Sequence, residues 1–402
     1  MVTGPHLALR QGFLSGPYAA AGGFLAALEA WWAQERQLPL PVALPFTGGW
    51  LLYLGYEIAQ EIEPTLRLPA SPDPLTALAL RAPAAWLRDR HSGQSCVVAE
   101  AGSEHLLGEF AAHVAALPAD LSAPAVDAGY LEEEPAARFL DAVVRALAYT
   151  ADGEVYQTNL SRAWTGTLPA DRAGALYGHL RRANPAPFAA FLRHGEFAIV
   201  SSSPERLVRV RDGRVATRPI AGTRPRGSTA ELDRHLVQTL LGDEKERAEN
   251  IMLIDLERND LGRVCRGGSV QVDEFMSVES YAHVHHIVSN VSGEMIGSAG
   301  PVDVIRALFP GGTITGCPKV RCMQIIGELE GAGRGAYTGS LGYLNRDGSL
   351  DLNILIRTIT CDNGRFRFRA GAGIVADSVP AQELAETRAK AEGLRRALGL
   401  RT

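Results

Sequence analysis

The chain has 402 residues, 46% of them hydrophobic, with a formal net charge of −5 and a pI near 6.1. It is long enough for one large α/β unit or two fused lobes. It carries no basic stripe for nucleic acid, no apolar run of membrane length and no signal-peptide start, and its five cysteines lack a C-x-x-C pair, all of which points to a reduced, cytoplasmic protein.

Residues 1–116 form an Ala-, Leu- and Pro-rich N-terminal region, with an amphipathic helix expected over 24–32 and a strand over 48–56. Residues 117–135, with Pro118, Pro124, Pro135 and acids at 132–134, read as a linker. From 136 to 402 the texture changes. A helix is expected over 139–151, and others over 231–256, 302–308, 318–330 and 380–398. Short β-branched strands separated by glycine turns are expected over 197–201, 207–210, 215–218, 337–344, 352–360 and 366–370. This mixture predicts an α+β fold, with large sheets packed face to face and helices outside.

Two helical starts carry acids three residues apart, Glu246 with Glu249 and Glu383 with Glu386. Spacing of i, i+3 puts both carboxylates of a pair on one helix face. Two such faces across a cleft would make a four-carboxylate box for Mg²⁺, completed by waters and an acidic substrate. Gly371, Ala372 and Gly373 end a strand just before the second pair, where backbone N–H groups and a helix N-terminus could seat an anion. Residues 309–319 form a second Gly/Thr-rich loop, without the ending of a P-loop. Arg357 interrupts an apolar run expected to be a strand, so it is either buried with a partner or aimed at a substrate carboxylate. His283, His285 and His286 have no second ligand cluster, which excludes zinc; Cys317 and Cys322 read as small core residues.

Taken together, residues 201–205, 219–227, 243–262, 286–291, 309–319 and 371–378 resemble the motifs of the chorismate-utilising enzymes, in order, across 139–398. One departure is Asn250, where the family usually has histidine. The resemblance implies an anthranilate-synthase-like fold. It implies Mg²⁺ held by Glu249 and Glu386, with Glu246 and Glu383 supporting through water. It assigns Tyr337, Arg357 and the backbone at Gly371, Ala372 and Gly373 to the enolpyruvyl carboxylate, and Lys390 to the ring carboxylate. Glu205 becomes the general acid for the departing 4-hydroxyl, with His286 and Thr313 lining the ring pocket.

The resemblance also bears on the nucleophile. Water-using members carry a lysine base where this chain has Gln157, so ammonia is the expected nucleophile, delivered by a glutamine amidotransferase subunit. Ala221 stands where many aminodeoxychorismate synthases have a covalent lysine, as it does in anthranilate synthases. The Gly311-Gly312 pair of the second loop, the residues around Gly339–Tyr343 and the lack of a tryptophan-inhibition motif lean the other way. The expected product is 4-amino-4-deoxychorismate, with anthranilate the alternative and a non-catalytic glutaminase scaffold the alternative of another class.

Overall fold

A computed structural model describes residues 4–117, 123–126, 128–281 and 284–400. Pro118 of the expected linker and His283 lie outside the described residues. Two large antiparallel sheets dominate. The first has eleven strands. Its path runs from Ile220–Pro225 through Val284–Glu294, Arg214–Arg218, Arg206–Arg211, Leu350–Asn353 and Ser340–Asn345. It continues through Gly49–Leu54, Ala77–Ala82 and His6–Arg10 to Phe13–Ser15, and Gln271–Ser280 adds on Val284–Glu294. The N-terminal strands are thus hydrogen-bonded into the same sheet as the C-terminal ones, through the register Leu54 to Ser340 and Gly49 to Asn345.

The second sheet has seven strands, with Gln157–Thr167, Arg365–Ile374, Thr358–Asp362, Phe197–Ser203 and Phe188–His194 in that order. Period-2 alternation explains how it is covered on both faces. Phe197 and Ile199 pack with Tyr53, Leu78 and Leu341 of the first sheet. Ala198 and Val200 point the other way, toward Leu176 and Leu180 of helix Ala173–Ala183 and Leu394 of helix Pro380–Ala397. The sheets therefore meet face to face, with helices outside, as the sequence predicts. Among the described residues no helix is long and apolar enough to cross a membrane.

Three expectations change. The helix expected over 231–256 is two helices, Ala230–Gly242 and Glu244–Gly262. The break is Asp243, whose carboxylate accepts the N–H groups of Lys245 and Glu246 and caps the second helix. The run over 352–360 is also split: Leu350–Asn353 belongs to the first sheet and Thr358–Asp362 to the second. Arg357 sits in the crossing between them at φ +52°, not within a strand. Last, part of the expected linker is ordered. Tyr130–Glu133 pairs with Gln157–Thr167, and Val126 and Ala128 are buried.

Candidate active site

The N-termini of helices Glu244–Gly262 and Pro380–Ala397 bring the two acid pairs to one region. Lys245 of the first helix is close enough to Glu383 on the second for its charge to oppose, in small part, the rise that burial causes there. Glu249 accepts from Gln157 Nε2 at 3.0 Å. Glu246 pairs with Arg224 at 3.1 Å, and Arg224 also grips Asp243 at 2.7 Å. Glu386 pairs with Lys390 at 2.6 Å, and Lys390 Nζ also donates to the Gly371 carbonyl at 3.0 Å. Burial raises the pKa of Glu246, and the Glu249 charge adds to it. Burial likewise raises Glu383, with Glu386 adding a smaller push.

The four acids do not close into the expected box. Among the described residues no three His, Cys, Asp or Glu side chains are arranged to hold a metal by themselves. Three of the four carboxylates have local partners instead: Gln157 on Glu249, Arg224 on Glu246 and Lys390 on Glu386. Mg²⁺ asks for less than a full protein cage, because one or two carboxylates with water and substrate oxygens suffice. Burial is the main cause that raises Glu246 and Glu383, and in each pair the neighbouring carboxylate adds a smaller like-charge push that a bound cation would relieve. The donor set fits Mg²⁺ on these terms.

The glycines at 371 and 373 make room for neighbouring side chains. A Cβ at Gly373 would lie 2.3 Å from Gln157 Nε2, and one at Gly371 would lie 2.7 Å from the Tyr337 hydroxyl. The strand is bare here so that Gln157 and Tyr337 can lie across it. Ala372 turns its methyl away into a cluster with Phe139 and Leu160, leaving only its backbone for the site.

Glu205 follows Phe197–Ser203 and is buried. Burial pushes its pKa up to about 7; the nearby Thr313 hydroxyl, the Ile220 amide and the Lys390 charge oppose this, and Glu249 reinforces it. Glu205 Oε1 and Thr313 Oγ1 are buried and neither completes a hydrogen bond. A carboxyl that keeps its proton near neutrality, with an unused oxygen, is poised to donate. His286 Nδ1 meets the Thr223 hydroxyl at 2.8 Å. Burial and the Arg357 charge hold its pKa down at about 4, so the ring is neutral. Arg357 itself has no acid within ion-pair or hydrogen-bond reach among the described residues, and burial lowers its pKa. A half-buried guanidinium without a counter-ion has the chemistry to accept an external anion.

Ala221 contributes a buried methyl to strand Ile220–Pro225, opposite Ile287, and the adjoining Gly222 backs onto Glu246. Asn250 accepts the Ser289 hydroxyl at 2.7 Å, and its Nδ2 has no partner. The candidate site residues thus share one region, linked by contact or by charge. Sequence reasoning missed Glu257, buried on the helix that carries Glu249. Burial, and next the Asp260 charge, raise its pKa, with Glu205 a further influence. It missed as well the fully buried Glu330, paired with Arg334 at 2.7 Å and Arg369 at 2.8 Å. The i, i+4 spacing of Glu330 and Arg334 was a readable signal; nothing local marked Arg369.

Known proteins bear on this site. The profile of the chorismate binding enzymes matches residues 21–396. An anthranilate synthase component I-like protein of Synechocystis is 43% identical over 363 residues, which is 89% of this chain and 74% of that one. Aminodeoxychorismate synthase component 1 of Bacillus subtilis is 51% identical over 262 residues, 65% of this chain and 56% of that longer one. The crystal structure of anthranilate synthase component I from Streptococcus pneumoniae superposes with a TM-score of 0.85 at 31% identity, covering 97% of this chain and 89% of that one. The chain belongs to the chorismate binding enzyme family.

Proposed function

We propose that the protein aminates chorismate with ammonia to 4-amino-4-deoxychorismate, in a Mg²⁺-dependent reaction serving 4-aminobenzoate and folate synthesis. Ammonia comes from a glutamine amidotransferase subunit, and the setting is the cytoplasm. One observation carries the choice of nucleophile. Gln157 occupies the base position and its amide already donates to Glu249. A neutral amide cannot deprotonate water, and ammonia needs no such help.

In this reading Arg357, Tyr337 and the backbone at Gly371 and Gly373 bind the enolpyruvyl carboxylate, and Lys390 reaches the ring carboxylate. Glu205 gives its proton to the departing 4-hydroxyl. Neutral His286 and Thr313 flank the ring. Mg²⁺, when held by Glu249 and Glu386, supplies charge that draws electron density from the ring carboxylate.

A second reading, amination to anthranilate with loss of pyruvate, is favoured by Ala221. Its buried methyl offers no nucleophile to the ring. Relatives carry both names. Product analysis decides between them. Chorismate, Mg²⁺ and ammonium should give 4-aminobenzoate only once an aminodeoxychorismate lyase is added. Fluorescent anthranilate formed by this chain alone would transfer the assignment to the second reading. No Mg²⁺-dependent loss of chorismate at all would leave only a scaffold for a glutaminase.

A further inference from the structure

Residues 334–337 form the turn that carries Tyr337, closed by the Tyr337 N–H to the Arg334 carbonyl at 3.2 Å, and its backbone is held by acids from the N-terminal region. Glu57 Oε1 accepts the Arg334 N–H at 2.8 Å and the Gly335 N–H at 3.1 Å. Asp73 Oδ2 accepts the Ala336 N–H at 2.7 Å, while its Oδ1 takes the Thr360 hydroxyl at 3.3 Å. The Tyr56 N–H donates back to the Gly335 carbonyl at 2.8 Å. Gly335 adopts φ +61°, and a Cβ there would lie 2.2 Å from Asp73 Oδ2. Both acids are buried. Three consecutive N–H groups are thus met by two carboxylates that lie more than 250 residues earlier in the chain.

The clamped turn is a junction. The Arg334 guanidinium lies between the rings of Tyr56 and Tyr337, at 5.0 and 5.5 Å. It donates to the Asn159 carbonyl at 2.7 Å, two residues beyond Gln157. It also donates to the Ile314 carbonyl at 3.0 Å, next to Thr313, and to Glu330 at 2.7 Å. One side chain therefore ties together the segments bearing Gln157, Thr313 and Tyr337. A shift of the turn moves all three.

We propose that Glu57 and Asp73 are positioning residues for the substrate pocket, making the N-terminal region part of the chorismate-binding machinery. The proposal rests on the assignment of Tyr337 to that pocket. Neither acid touches substrate; each fixes the backbone from which Tyr337 and Arg334 project.

The experiment uses the full chain, after turnover of chorismate by the wild type is established; absence of that turnover would defeat the functional reading itself. Glu57→Ala frees two N–H groups and should raise KM for chorismate about tenfold while kcat changes far less. Glu57→Gln keeps the Oε1 acceptor and should stay within about twofold of wild type. If Glu57 acts by placing Tyr337, Glu57→Ala should add little to the KM of a Tyr337→Phe protein. Should Glu57→Ala not fold, Asp73→Ala, which frees the Ala336 N–H, carries the same cycle. An unchanged KM in a folded variant, KM effects that simply add to that of Tyr337→Phe, or failure of both alanine variants to fold would reduce these acids to general structure and overturn the proposal.

Discussion

Glu205→Gln separates two consequences of burying one carboxyl. The group is held at about 7 against 4.5 for the free side chain. Each pH decade is worth about 1.4 kcal/mol, so ionising it inside the protein costs about 3 kcal/mol. A carboxyl raised on folding supports the fold fully below its unfolded value of 4.5 and loses that support as pH climbs through about 7. Glutamine does not titrate and escapes the penalty. Its buried amide leaves N–H donors unpaired, at a cost on the order of 1–3 kcal/mol that does not vary with pH. Urea unfolding of both proteins across pH cancels that constant. Relative to wild type, the variant should gain about 3 kcal/mol on going from pH 4.5 to about pH 8.5. The same variant should bind chorismate yet lose about 10²–10⁴-fold in kcat. Wild-type kcat/KM should decline above about pH 7, as the proton needed by the leaving hydroxyl is lost. A stability difference that stays flat across pH would refute the burial argument. A kcat near wild type would remove Glu205 from proton donation.

Other perturbations test the rest of the site. Glu249→Gln or Glu386→Gln should abolish Mg²⁺-dependent turnover, with Glu246→Gln and Glu383→Gln milder; undiminished activity in excess chelator would sink the metal assignment. Arg357→Ala should raise KM about ten- to hundredfold, since a hydrogen bond to a charged group is worth about 1.5–3 kcal/mol, and an unchanged KM would place the carboxylate elsewhere. Gln157→Lys should introduce a base and yield some isochorismate by chromatography; a folded, chorismate-binding variant that makes none would show that this position does not choose the nucleophile. Glu330→Gln strands the buried charges of Arg334 and Arg369 and should cost about 3–5 kcal/mol in urea unfolding, whereas a loss below about 1 kcal/mol would contradict the burial of that network.

The acid pairs were legible because i, i+3 spacing is a local property of a helix, and the fold class because strand alternation and helix periodicity are local too. The break at Asp243 was missed because apolar periodicity runs on through it, while the event there is a cap made by one carboxylate. Arg357 read as a strand residue because Ile354, Leu355 and Ile356 flank it; those side chains are apolar since the crossing between sheets is itself packed. For the four-carboxylate set, spacing gives the face of a helix and not the partners waiting there, such as Gln157 on Glu249. Glu57 and Asp73 left no signal at all. Their partners are backbone N–H groups, which every residue but proline offers.

The pairing of Gly49–Leu54 with Ser340–Asn345 has a bearing on how the protein is made. The Asn345 amide that donates to the Pro45 carbonyl lies 300 residues further along the chain. During synthesis the early strands leave the ribosome long before their neighbour exists, with an apolar edge unpaired in the meantime. Contacts of such separation slow folding and lengthen exposure to aggregation. Truncated chains that end before residue 340 should therefore accumulate as insoluble material, and good yields should depend on slow translation, low temperature or a chaperone that shields the waiting strands.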